Sequence, residues 1–133
     1  MTHEQFDAKM RELGALIDVP EKYYPWVGRR NYDGVYVEID KPVPIYRWVI
    51  IERGHEIESR IFSESHDLLY VVFQFITSEM SVRYVVRSKK PNQDTRRLLF
   101  EHQLILLGKI NEDFRRKREA EIKEILAKAP YRD

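Results

Sequence analysis

There is no cysteine in this chain. Disulfides, thiol nucleophiles and cysteine-ligated zinc are thereby excluded. An excess of one charge is also lacking: 23 Lys and Arg residues oppose 22 Asp and Glu, leaving a formal net charge of +1. A field that weak gives no reason to expect a nucleic acid or a membrane surface as partner. Long hydrophobic runs are missing. The longest, Leu68 to Ile76, is broken by Gln74 and falls far short of the roughly 20 residues needed to cross a bilayer. The opening MTHEQFDAKM holds charges and no signal-peptide core, so a cytoplasmic protein is expected. The 5 glycines form no phosphate-cradling loop. His3, His55, His66 and His102 show neither HxH nor HExxH spacing, so neither a helical metal pair nor a cofactor is expected.

What is present is a strongly apolar stretch, Asn92 to Ile110. Leu98, Leu99, Phe100, Leu104, Ile105, Leu106, Leu107 and Ile110 recur at helical spacing, with Asn92 or Asp94 as N-cap. Such a helix needs partners. Upstream, Thr2 and Gln5 have capping-box spacing, and Phe6, Met10, Leu13 and Ile17 form the stripe of a first helix. Asp18 to Asp33 reads as a connection rich in Tyr and Trp that packs over the domain. From Gly34 the period becomes two: Val35, Val37 and Ile39 alternate with Tyr36, Glu38 and Asp40, a half-buried strand. Ile45 to Arg53 and Glu56 to Phe62 predict two further strands joined by a Gly54-His55 turn.

That turn predicts a register in which Trp48, Ile50, Ile57 and Ile61 face the core, leaving Val49, Ile51, Glu56, Glu58 and Arg60 on the opposite face. Three helices follow: about Ser65 to Arg87, Asn92 to Ile110, and Glu112 to Lys128. Lys89-Lys-Pro-Asn92 separates the first two, and Asn111 caps the last. The expected fold is a single α+β domain, residues 1–133: an N-terminal helix, a three-stranded antiparallel meander, then three helices packed on one sheet face. Leu99, Phe100, Leu104, Leu107, Trp48, Ile50 and Phe73 should be buried.

Residues with possible chemistry read mostly as structural. Ser65, His66 and Asp67 are too close in sequence to form a triad and suit N-capping. The basic run Arg115 to Arg118 is flanked by acids and lacks interleaved aromatics, as a solvated helix face would. Glu52, Arg96, Arg97 and Glu101 are expected to form ion pairs tying the Asn92 helix to the hairpin. An alternative class, a small enzyme using Glu52, Glu101 and His102, would need a deep pocket around those three groups. A self-associating structural domain is a third possibility.

YRWVIIERGHEIESR (Tyr46 to Arg60), the DLLY–VF pattern (Asp67 to Phe73), QDTRRLLFEHQLILLGKIN (Gln93 to Asn111) and the closing AEIKEILAKAPYRD together resemble immunity protein 63, a family from bacterial polymorphic toxin systems. The resemblance runs from about Leu13 to Asp133. It implies a non-enzymatic protein that binds and neutralises a cognate protein toxin encoded nearby by steric block. It transfers no catalytic residue and leaves the toxin and the oligomeric state open. The candidate contact surface is the sheet face opposite the core, carrying Tyr36, Glu38, Val49, Ile51, Glu56, Glu58 and Arg60. The aromatic loop Tyr23 to Tyr32 is its rival.

Overall fold

The computed structural model describes residues 1–88 and 90–133. Lys89, part of the expected helix break, lies outside them. The class is α+β, as the sequence pattern implies. In chain order the elements are α1 (His3–Gly14), β1 (Trp26–Val27), β2 (Gly34–Asp40), β3 (Ile45–Glu52), β4 (His55–Phe62), α2 (Ser65–Ser88), α3 (Thr95–Ile110) and α4 (Glu112–Lys128). They form two compact units, Met1–Val72 and Phe73–Asp133.

In the first unit, α1 starts with the expected capping box. The Thr2 hydroxyl accepts from the Gln5 amide at 3.0 Å, and the Gln5 side chain accepts from the Thr2 amide at 2.9 Å. Phe6 and Met10 are fully buried. The stretch after α1 is pinned by Arg11, which forks onto Glu21 at 2.6 and 2.9 Å, reaches Asp7 at 3.2 Å and lies 4.7 Å above the Tyr24 ring. The Tyr24 ring in turn lies against Gly14, where a Cβ would collide with its hydroxyl and Cζ. Glycine within a helix usually costs about 1 kcal/mol against alanine. Here the contact reverses that sign: Gly14→Ala is expected to lower the urea midpoint, and a raised midpoint would show that Tyr24 moves aside freely.

Among the described residues the sheet has four strands in the order β1-β2-β3-β4, one more than the meander expected. β1 pairs in parallel with β2, Trp26 beside Tyr36 and Val27 beside Val37. Two residues carry no readable period, which is why a strand lies where only a connection was expected.

The hairpin between β3 and β4 also differs. Its turn residues are Arg53 and Gly54, with φ of 53° and 77°, flanked by the pair Glu52 and His55. Two positive φ angles in succession give a primed turn, whose twist suits a hairpin. Arginine is an unusual residue for the first position, and Asp33 holds the turn from outside: its carboxylate accepts from the amides of Arg53 and Gly54, each at 3.0 Å. Those two bonds keep its pKa below the usual carboxylate range. A register shift follows, Ile51 pairing with Glu56 but Ile50 with Glu58, so Ile57 is an extra residue, a β-bulge.

From there on the pairing is one residue off the expected register: Val49 with Ser59, Trp48 with Arg60, Arg47 with Ile61. One residue of slip exchanges the two faces of a strand. The buried face is therefore Val37, Ile39, Tyr46 and Trp48, while Ile57 and Ile61, expected in the core, are 56% and 60% exposed.

In the second unit, the lower half of α2 with α3 and α4 buries Phe73, Ile76, Phe100, Leu107, Phe114 and Ile122. The Phe73 and Phe114 rings stack with centroids 6.4 Å apart. Leu99 and Leu104, expected in this core, are only half-buried. The buried stripe of α3 runs Phe100, Gln103, Leu106, Leu107 and Ile110, a narrower sector than its leucines suggest, with a glutamine at the centre. Asp94 is the N-cap of α3 and Asn111 that of α4, whose bounds are those expected.

Candidate partner-binding surface

The observed register decides which side chains share a face. β2 presents Tyr36, Glu38 and Asp40; their β3 partners are Val49, Arg47 and Ile45; β4 adds Glu56, Ser59 and Ile61. Tyr36, Glu38, Val49, Ile51 and Glu56 are thus brought together as expected. Glu58 and Arg60 are not: they pair with Ile50 and Trp48 on the other face, where the Trp48 indole donates to Glu58 at 2.7 Å. The bulge at Ile57 and the earlier turn are the cause. Asp40, Arg47, Ser59 and Ile61 take their place, residues that only the true register could have revealed.

This face holds a cavity of about 250 Å³ lined by Arg29, Tyr36, Glu38, Asp40, Arg47, Val49, Glu56 and Ser59. Its apolar part is Tyr36 and Val49, 7% and 2% exposed, and its polar part carries charges of both signs. Arg47 is held by Asp40 at 2.8 Å, which raises the guanidinium pKa. Burial, followed by the nearby Glu38, raises that of the Tyr36 hydroxyl. Asp40 and Arg47 thus neutralise each other, and the raised pKa favours the neutral Tyr36 phenol.

The rival aromatic loop presents a different surface. The Arg30 guanidinium lies 5.1 Å from the Trp26 ring and 4.2 Å from that of Tyr32. Trp26 and Tyr32 are 55% and 63% exposed. Trp26 also lines a larger cavity, about 570 Å³, beside His3, Glu4, Asp7 and Arg11.

The ion pairs expected of Glu52, Arg96, Arg97 and Glu101 are replaced by others. Arg96 forks back onto its own N-cap Asp94 at 2.9 Å and donates to the carbonyls of Ala129 and Pro130, each at 2.8 Å. Arg97 forks onto Asp133, with Nε at 2.8 Å from Oδ2, and stacks 4.0 Å over Tyr131. Asp133 accepts from the Asp94 amide, and Asp94 from the Arg132 amide, both at 2.9 Å. The final residues therefore close over the start of α3. The hydrogen bond from Arg96 chiefly, then those from the Arg132 and Arg96 amides, hold the Asp94 carboxyl far below its ordinary pKa. Glu52 and Glu101 are exposed and form no ion pair among the described residues.

His102, the third member of the enzymatic alternative, has its Nδ1 2.9 Å from the Ser81 hydroxyl and its ring stacked on Tyr84 at 4.1 Å. Burial, with Lys109 and Arg87 adding to it, lowers its pKa and favours the neutral ring. The basic run of α4 is matched within the helix: Arg115 by Glu112 and Glu119, Arg116 by Glu112, Lys117 by Asp113 and Arg118 by Glu121. Among the described residues, no helix is long and apolar enough to cross a membrane.

The architecture is thus a small α+β protein whose sheet shows a polar, cleft-bearing face. Residues 42–124 match the family model of immunity protein 63, and the chain belongs to that family. The match spans β3, β4, α2, α3 and most of α4, so Val49, Ile51 and Glu56 fall inside it and Tyr36 and Glu38 outside. Comparisons with curated proteins and with solved structures return no match.

Proposed function

We propose that this chain is an immunity protein that binds a cognate toxin encoded nearby and blocks it sterically, using the sheet face of Tyr36, Glu38, Arg47, Val49, Ile51 and Glu56. The observation that carries the reading is the family membership; the face is chosen for its chemistry. A specific interface of standard size needs roughly 800 Å² on each partner, with a few anchors inside a polar rim. The cleft has a nearly buried tyrosine and valine as its floor, with carboxylates and guanidinium groups around them to receive an anchor from the partner. Mixed charge of this kind favours discrimination between partners more than raw affinity. Glu58 and Arg60 drop out of the surface because their side chains share the face of Trp48.

The test is co-expression with the toxin encoded beside the gene, scored for survival and co-purification. Glu38→Lys combined with Glu56→Lys, in a protein folded by circular dichroism, is expected to weaken toxin binding by about tenfold or more and to lose protection. Full protection by that variant removes this face and moves the search to Trp26, Arg30 and Tyr32.

A further inference from the structure

β4 is an edge strand. Among the described residues, the sheet order leaves one of its sides without a neighbouring strand, and every residue from His55 to Ile61 is exposed. Edge strands are usually blunted by charge and by bulges, and β4 has both. Its charges, however, are arranged so that they match a reversed copy of themselves. Read in either direction, Ile57-Glu58-Ser59-Arg60-Ile61 places isoleucine at both ends, serine in the middle and opposite charges between them.

We infer that β4 pairs antiparallel with β4 of a second copy about a two-fold axis at Ser59, joining two sheets into one. In that register Glu58 faces Arg60 of the second copy, and Arg60 faces its Glu58. Ile57 and Ile61 face each other at both ends, covering two of the most exposed large apolar side chains, at 56% and 60% exposure. A two-fold axis normal to the sheet keeps each side chain on its own face, so the ion pairs form on the Trp48 side.

The groups are free to meet. Glu58 gives Oε2 to the Trp48 indole and keeps its other oxygen. Arg60 lies 5.3 Å over the Phe62 ring and forms no ion pair among the described residues. Neighbouring registers fail. Moving the axis one residue either way sets Glu58 against Glu58 or Arg60 against Arg60, and like charges directly opposite are destabilising. Axes midway between residues set the charges against serine or isoleucine. Closed isologous pairing of this kind also ends at two copies rather than building a fibre. The ion pairs lie opposite the proposed toxin-binding cleft, whereas Ser59 on the axis and the isoleucine pairs lie on the cleft's own face, at its β4 border.

The experiment is sedimentation equilibrium on the full chain over a range of concentrations, with circular dichroism as the fold check. The wild type is expected to dimerise reversibly. Arg60→Glu, which leaves the Trp48–Glu58 bond in place, sets carboxylates against each other and is expected to weaken the dimer by roughly tenfold or more. Glu58→Arg does the same with guanidinium groups. An equimolar mixture of the two variants restores both opposite-charge pairs and is expected to form a heterodimer as tight as the wild type. A wild type monomeric at every concentration overturns the inference. So does a dimer indifferent to the single reversals, or a mixture that fails to recover.

Discussion

Replacing Phe114 with alanine is expected to lower the unfolding free energy by about 3–5 kcal/mol, measured by urea titration. Phe114 is fully buried and stacks on Phe73, itself fully buried, with an interplanar angle of 26°. Truncation removes the apolar surface and leaves a space that two helices with fixed caps cannot readily close. A loss of that size is a large part of the 5–15 kcal/mol typical of a whole domain. Phe114→Leu, which keeps most of the volume, should cost about 1.5 kcal/mol or less. Equal losses for the two variants would mean that the ring's shape, rather than its volume, sets the stability of this unit.

The second large effect belongs to Gln103. Its amide donates to the Gln74 carbonyl and the Thr77 hydroxyl, each at 3.1 Å, and its oxygen accepts from Arg118 Nε at 2.9 Å. Thr77 passes the chain on to the Phe73 carbonyl at 2.6 Å. Gln103→Leu keeps the size but leaves Arg118 Nε without its acceptor, Arg118 keeping Glu121, and takes the amide donor from the Gln74 carbonyl and the Thr77 hydroxyl; it is expected to cost about 3 kcal/mol. The asymmetry of buried hydrogen bonds gives the check. Removing both partners of a buried pair costs less than removing one, so adding Arg118→Met to Gln103→Leu should recover part of the loss. A double variant that is simply the sum of its singles would deny the coupling.

Sequence alone carried the helices well because their signals are local. Thr2 with Gln5, Asn111 before α4 and the period of Phe6 and Met10 all act within a turn or two of the residues they organise. It did not carry the register of the hairpin. The Arg53-Gly54 turn depends on Asp33, 20 residues earlier, and the bulge at Ile57 leaves no mark in composition. Glu58 and Arg60 were assigned to the wrong face for that reason, while Tyr36, Glu38 and Val49, which lie where the β2–β3 pairing is regular, were assigned correctly. Arg97 found Asp133 instead of Glu101 for a similar reason: its partner is 36 positions away. Gln103 hid among leucines, since a polar residue in an apolar stripe reads as a surface position until its own hydrogen bonds are seen. The family, by contrast, was legible in short motifs that need no register.

The two tryptophans occupy opposite extremes of solvent access, and this makes the first unit its own spectroscopic probe. Trp48 is 2% exposed, with its indole N–H donating to Glu58. Trp26 is 55% exposed and lies beside the Arg30 guanidinium. An anionic quencher such as iodide, drawn to Arg30, reaches Trp26 in the folded protein and is kept from Trp48. The quenchable part of the emission therefore follows the loop and anything that settles on it, and the protected, blue-shifted part follows the integrity of the sheet. Binding of a partner and loss of fold can be read separately in one cuvette, without a label.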